Sequence, residues 1–195
     1  MPQPDPILAL FEQTGAYLKG HFRLTSGLHS PEYLQCALVL RFPWHAETLG
    51  RKLAAELQSL AERKPVGMVV SPAMGGVIIG HEVGRALRVP GIFAERENGT
   101  MTLRRGFHVE PGINVVVVED VVTTGGSTRE VIDLLQKAGA NVLAAGSIID
   151  RSGGAVDVGV PRGALATMKV TSWPQEQCPL CAEGSPVVKP GSRAV

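Results

Sequence analysis

One stretch of the chain concentrates its chemistry: Val115-Val116-Val117-Val118-Glu119-Asp120-Val121-Val122-Thr123-Thr124-Gly125-Gly126-Ser127-Thr128. An apolar β-branched run ends in two adjacent carboxylates, followed by hydroxyl-bearing residues and glycines where a helix would begin. The unpaired N–H groups of a helix N-terminus, with its dipole, favour an anion, and Gly125-Gly126 lets a phosphate approach the backbone closely. Hydroxyls of Thr123, Thr124, Ser127 and Thr128 add donors. Carboxylates repel phosphates, so Glu119 and Asp120 make sense as acceptors for neutral hydroxyls such as a ribose cis-diol, or as metal ligands. A sugar phosphate satisfies both ends of the stretch. GxxxxGK[ST] and GxGxxG are absent, which sets aside P-loop nucleotide hydrolases and dinucleotide-binding enzymes. The plain alternative is a tight Gly-Gly turn with Ser127 as a helix cap.

Positioning these groups takes a strand, a loop and a helix, and the rest of the chain repeats that alternation. Helical patterns over 7–18, 43–64, 76–87 and 127–138 alternate with apolar runs at 66–70, 91–95, 114–118, 142–149 and 165–170. That pattern implies an α/β fold with a central, mainly parallel sheet flanked by helices. The valine run at 115–118 has no polar alternation, which marks a central strand buried on both faces. Residues 101–107 read as a short exposed hairpin, and the last twenty residues are turn-rich and without a period. At 195 residues with 44% hydrophobic and 19% charged positions, the composition is that of one globular domain rather than a disordered chain. A net charge of +1 and 5% aromatics argue against a nucleic-acid partner. There is no apolar stretch of membrane-spanning length, and MPQPDPILAL lacks the basic start and apolar run of a targeting segment. No membrane partner is expected, and the cytoplasm is the expected compartment.

The 115–128 stretch resembles the phosphoribosyl diphosphate signature of type I phosphoribosyltransferases. Two further stretches are similar to the orotate branch. Lys19-Gly20-His21-Phe22-Arg23-Leu24-Thr25-Ser26-Gly27-Leu28-His29-Ser30-Pro31-Glu32-Tyr33 carries the pattern Phe-x-Leu-x-Ser-Gly-x-x-Ser-x-x-Tyr, and Ile148-Ile149-Asp150-Arg151 carries a strand-end Asp-Arg. With all three in order, the chain is identified as a member of the orotate phosphoribosyltransferase family. The resemblance implies one phosphoribosyltransferase domain over 1–195, with a core at about 43–170, a hood from about 1–42 and 171–195, and a mobile hairpin lid. It implies transfer of the phosphoribosyl group from 5-phosphoribosyl 1-diphosphate to orotate, with Mg²⁺ bound mainly through the substrate diphosphate. Glu119, Asp120, Val121, Val122, Thr123, Thr124, Gly125, Gly126 and Ser127 would bind the sugar diphosphate, and Glu119 and Asp120 would also be catalytic. Thr123 would sit where base meets ribose, and Arg151 would face the orotate carboxylate, which a guanidinium fork meets bidentately. Residues 71–76 would receive the diphosphate. The alternatives are a phosphoribosyltransferase for another base, and a non-catalytic sensor of nucleotides or of phosphoribosyl diphosphate.

The family's lid closes over the diphosphate, commonly in the neighbouring subunit, which implies a homodimer. Here the lid is Glu95-Arg96-Glu97-Asn98-Gly99-Thr100-Met101-Thr102-Leu103-Arg104-Arg105-Gly106-Phe107. Arg96 matches the arginine at its start and would bind the sugar diphosphate, while Arg104 and Arg105 stand as catalytic cations in place of the family's lysines, since no lysine lies between Lys64 and Lys137. Thr25 and Gly75 also stand where some relatives have lysine. Cys178-Pro179-Leu180-Cys181 has the spacing of half a zinc knuckle. Two ligands do not close a tetrahedral site; a dimer or distant histidines would have to add more, and a plain turn with reduced thiols is the simpler expectation. No metal ligand is therefore assigned from sequence. Among the histidines, His108 lies just past the lid, and a surface position accounts for it.

Overall fold

The computed structural model describes residues 5–24 and 26–190, so Thr25 lies outside the described residues. In chain order the elements are α1 (Pro6–Gln13), β1 (Tyr17–Arg23), β2 (His29–Leu34), α2 (Cys36–Leu40), α3 (Pro43–Leu60), β3 (Met68–Pro72), α4 (Gly76–Leu87), β4 (Gly91–Glu97), β5 (Thr100–Leu103), β6 (Asn114–Val122), α5 (Gly126–Lys137), β7 (Asn141–Asp150), β8 (Arg162–Thr167) and α6 (Pro179–Ala182). They form two compact units, one spanning Leu40–Met168 and one drawn from the chain on either side of it.

The larger unit is built on a six-stranded sheet in the order β5-β4-β3-β6-β7-β8, parallel throughout except for β5 against β4. Val115, Val116, Val117 and Val118 are fully buried, as their unbroken β-branched run requires of a strand covered on both faces. Val115 and Val117 pack with Val131, Ile132 and Leu135 of α5. By alternation Val116 and Val118 face the other layer, where α3 and α4 pack on the sheet and on each other. The buried stripe of α3, Ala46, Leu49, Gly50, Leu53, Ala54 and Leu57, follows helical spacing. Gly50 is small because a Cβ there would lie 2.6 Å from the Glu82 Cβ of α4.

Crossovers run from β3 outward to β4 on one side and from β6 outward to β7 and β8 on the other. The strand order therefore reverses between β3 and β6, and in such sheets ligands bind in the crevice beyond the carboxyl ends at that reversal. Residues 71–76 span the end of β3 and its connection to α4, and residues 119–127 span the end of β6 and its connection to α5.

In the smaller unit β1 and β2 form an antiparallel pair with an irregularity between Lys19 and Phe22. The C-terminal segment is stitched to it by bridges from Val188 to Phe22 and from Trp173 to His29.

Several boundaries differ from the sequence expectation. The first helix stops at Gln13, because Gly15 at φ +67° turns the chain, and Tyr17-Leu18 open β1 instead. The exposed hairpin is not confined to 101–107. Its turn is Asn98-Gly99, at φ +50° and +83°, the pair of positive angles that a two-residue hairpin turn demands, so β4 and β5 form its arms. The central strand runs on to Val122, which places the acidic pair within β6 rather than after it.

Candidate active site

Glu119 and Asp120 sit near the end of β6, where the strand delivers them to the N-terminus of α4. A Cβ at Gly75 would lie 2.6 Å from both carboxylate oxygens of Asp120, and one at Gly76 would lie 3.4 Å from Glu119 Oε1. The 71–76 turn thus lies directly against the acidic pair, and no side chain fits at Gly75 while Asp120 holds this position. The Asp120 N–H points to Glu119 Oε1 at 3.3 Å, and Asp120 Oδ1 accepts from the Val121 N–H at 2.9 Å. Burial, and then the neighbouring Asp120 charge, push the Glu119 carboxyl well above its ordinary value. Two adjacent ionised carboxylates here are unfavourable, and O–H donors from a ligand would offset the cost of charging them.

Beyond the pair, Thr123 and Thr124 are exposed and Gly125 is buried at φ +73°. That angle favours glycine, and a Cβ there would also lie 2.5 Å from Val156 Cγ1. Gly125 is the N-cap of α5, and no side chain caps the helix. The helix begins one residue earlier than expected, so Ser127 lies inside its first turn and the plain capping role falls away. The first amides of α5 are left without a side-chain cap, the condition under which a helix N-terminus can hold an anion.

Arg151 follows directly on β7. Its N–H donates to the Val122 carbonyl at 2.8 Å, which fixes its backbone beside the start of the Thr123–Gly126 loop. The residue that shapes this turn is Asp150, which is buried. Its carboxylate accepts from the Ser152 N–H at 2.8 Å, the Ser152 hydroxyl at 2.6 Å, the Gly154 N–H at 2.9 Å and Arg162 Nη2 at 2.9 Å. Burial alone would raise the Asp150 carboxyl; the Ser152 bonds and the Arg162 charge outweigh it and hold the group below its ordinary value.

The hairpin arginines are arranged differently. Arg96 pairs with Glu130 of α5 at 2.7 Å and donates to the Gly99 carbonyl at 2.9 Å. Arg104 pairs with Glu97 at 3.3 Å and Arg105 with Glu95 at 2.9 Å. All three are about half exposed, between 46% and 60%. The structure brings each to a nearby carboxylate rather than to the Glu119–Asp120 pair. His108 is exposed and faces Glu110 at 3.3 Å.

The family described as the phosphoribosyl transferase domain matches residues 45–160. The orotate phosphoribosyltransferase of Pelotomaculum thermopropionicum is 56% identical over 191 residues, 98% of each chain. That of Heliobacterium modesticaldum is 57% identical over 192 residues, 97% of this chain and 98% of the other. The chain belongs to the orotate phosphoribosyltransferase family. The crystal structure of the Aeropyrum pernix orotate phosphoribosyltransferase is similar at TM-score 0.63 and 27% identity, covering 83% of this chain and 93% of that one. A Trypanosoma brucei adenine phosphoribosyltransferase in complex with AMP, pyrophosphate and ribose-5-phosphate shares the fold at TM-score 0.63 and 17% identity, covering 86% and 82%. The two scores are equal, so within this superfamily fold similarity does not choose the base.

Sequence reasoning missed the residues that hold the family motifs in place. Asp150 was noticed only as the neighbour of Arg151, yet it ties Ser152, Gly154 and Arg162 into one turn. A buried aspartate at a strand end, two residues before a serine and ahead of Gly153-Gly154, is a usable signal for an Asx-type turn. The contact of Gly75 with Asp120 has no sequence signal, because it joins two crossovers.

Proposed function

We infer that this chain transfers the 5-phosphoribosyl group from 5-phosphoribosyl 1-diphosphate to orotate, giving orotidine 5′-monophosphate and diphosphate. The observation that carries this reading is the β6-to-α5 connection at the strand-order reversal. It sets an acidic pair suited to a cis-diol next to an uncapped helix N-terminus suited to a phosphate, with Arg151 bonded by its backbone to the same strand end.

In the reaction orotate N1 forms a bond to the anomeric carbon, the bond from that carbon to the diphosphate oxygen breaks, and the N1 proton leaves to solvent or to the diphosphate. Positive charge develops on the ribose and negative charge on the leaving group. Glu119 and Asp120 accept from the ribose hydroxyls and stabilise the first by position and charge. Gly125, Gly126 and Ser127 hold the 5′-phosphate through backbone N–H groups, with Thr124 in the same loop and Val121 and Val122 at the strand end that leads into it. Thr123 lies between ribose and base, and Arg151 pairs with the orotate carboxylate. Residues 71–76 receive the diphosphate, and Gly75 keeps that turn clear of Asp120. Mg²⁺, when bound, neutralises the diphosphate. The adjacent hard oxygen donors of this chain are the carboxylates of Asp120 and Glu119, a pair rather than a full cage, so most of its ligands would come from the substrate and water.

Arg96, Arg104 and Arg105 neutralise the leaving diphosphate once the 95–107 hairpin closes, and they do so in the site of a second copy within a homodimer. Their exposed ion pairs are weak enough to exchange for phosphate oxygens. No helix among the described residues is long and apolar enough to cross a membrane, and the cytoplasm is the compartment this reading assigns.

The test is the loss of orotate absorbance on mixing purified protein with phosphoribosyl diphosphate and Mg²⁺, with adenine, hypoxanthine and uracil run in parallel. Consumption of orotate alone is expected. Turnover of another base in preference to orotate, or of none, would overturn the reading.

A further inference from the structure

In the smaller unit four potential metal ligands converge, none of them given a role in the proposed reaction. His21 on β1, His29 at the start of β2, Cys178 at the N-cap of α6 and Cys181 within α6 bring one ligand atom each to within 4.8 Å of one another. His21, His29 and Cys178 are buried and Cys181 is partly so. His21 Nε2 lies 2.8 Å from His29 Nδ1, 3.5 Å from Cys178 Sγ and 3.7 Å from Cys181 Sγ, and Cys181 Sγ lies 3.2 Å from His29 Nδ1. Three of these partners crowd one ring nitrogen.

Hydrogen bonding does not account for that crowding. His21 Nδ1 lies 2.9 Å from the Ser185 carbonyl, which can only accept, so in the neutral ring the proton is on Nδ1 and Nε2 keeps a single lone pair. One lone pair accepts one hydrogen bond, not three. A cation at the common focus lets each of the four atoms contribute its own lone pair, and the Nδ1–H bond to a carbonyl is the outer contact by which metal-bound histidines are oriented.

The distances fit zinc. Tetrahedral Zn²⁺ at about 2.0 Å from nitrogen and about 2.3 Å from sulfur sets nitrogens about 3.3 Å apart and sulfur about 3.6 Å from nitrogen. Three of the four sulfur–nitrogen distances, 3.2 to 3.7 Å, bracket that value, the whole set lies within 4.8 Å, and the 2.8 Å nitrogen pair needs to open by only about half an ångström. Two thiolates with two imidazoles suit zinc in preference to magnesium or calcium, and four protein ligands leave no position for substrate, which makes the site structural.

A second observation says what such a site would hold. From residue 169 to 190 the only buried side chain in the hydrophobic core is Cys178, while Val187 and Val188 are 49% and 52% exposed. The segment is joined to β1 and β2 by a few backbone bonds, among them Val188 N–H to the His21 carbonyl at 2.8 Å and His29 N–H to the Trp173 carbonyl at 2.8 Å. So little apolar burial does not fix twenty residues of turn, and small units of this kind need a staple.

We propose that His21, His29, Cys178 and Cys181 form a structural zinc site that clamps the C-terminal segment onto the β1–β2 hairpin within one chain. Binding would release the two thiol protons.

Metal analysis of the purified full-length protein, after addition of excess Zn²⁺ and desalting, is expected to find about one zinc per chain. Co²⁺ in its place is expected to give the strong visible bands of a tetrahedral site with thiolate-to-metal charge transfer. The Cys178→Ser/Cys181→Ser variant should lose the metal, whereas Cys36→Ser should keep it. A chelator should lower the thermal midpoint of the wild-type chain and expose 171–190 to protease. Less than about 0.1 zinc per chain in the wild type with no cobalt bands would overturn the proposal, as would full zinc in the double-serine variant. If that variant does not fold, the wild-type stoichiometry and cobalt spectrum still decide.

Discussion

The strand-end half of the candidate active site and the hairpin half are built on opposite terms. At the ends of β6 and β7 the functional groups are held by the sheet: Asp120 by its backbone bonds and the closeness of Gly75, Arg151 by the Val122 carbonyl, and the turn after it by buried Asp150. On the hairpin, Arg96, Arg104 and Arg105 are exposed and each is neutralised by a nearby glutamate. The first half is set before substrate arrives, as positioning and electrostatic stabilisation require. The second half carries its cations in weak pairs that a diphosphate, with its higher charge, can displace. On the proposed reading, the framework recognises ribose, phosphate and base, and the exposed hairpin answers the charge of the leaving group.

If that division is right, damage to the strand-end half should be the more severe. Asp120→Asn should lower kcat by about a hundred-fold or more while the circular dichroism spectrum and thermal midpoint stay near wild type, because the side chain lies at the site and not in the core. Wild-type turnover by this variant would break the comparison at its stronger end. Arg104→Ala with Arg105→Ala should cost less, about ten-fold in kcat for the pair, with little change in KM for orotate. A loss as large as that of Asp120→Asn would show the hairpin to be as preorganised as the strand ends.

The smallest effect concerns stability. Since Glu119 is raised in the folded chain, its contribution is complete below the unfolded carboxyl value and is lost as pH rises through the folded one. Glu119→Gln removes that pH-dependent loss, so the variant should melt higher than wild type at pH 8, and the difference should shrink at pH 5. An equal difference at both values would argue that burial and Asp120 do not strain this carboxyl. The same variant should lose activity, the usual cost of relaxing a strained site.

How much of this could be read from the chain follows the same line. The 115–128 stretch was legible because strand, acidic pair, glycines and helix start are consecutive, and α3 because its leucines repeat at helical spacing. The hairpin turn at Asn98-Gly99 is equally local, since Asn-Gly is itself a two-residue turn signal that places the hairpin ahead of 101–107. What local pattern cannot supply is pairing across the chain. Gly75 meets Asp120 through a crossover, and His21 meets Cys178 across 157 positions. The Cys178-Cys181 spacing was visible as half a site, and only the β1–β2 hairpin brings in the two histidines that complete it.

The central claim is that the strand ends read the base through Arg151. Steady-state kinetics of Arg151→Ala with orotate and phosphoribosyl diphosphate varied separately tests it most directly. The account predicts that KM for orotate rises at least about ten-fold, the loss of a charge-assisted bidentate pair, while KM for phosphoribosyl diphosphate changes by less than about two-fold. Equal rises in both, or none in either, would contradict it.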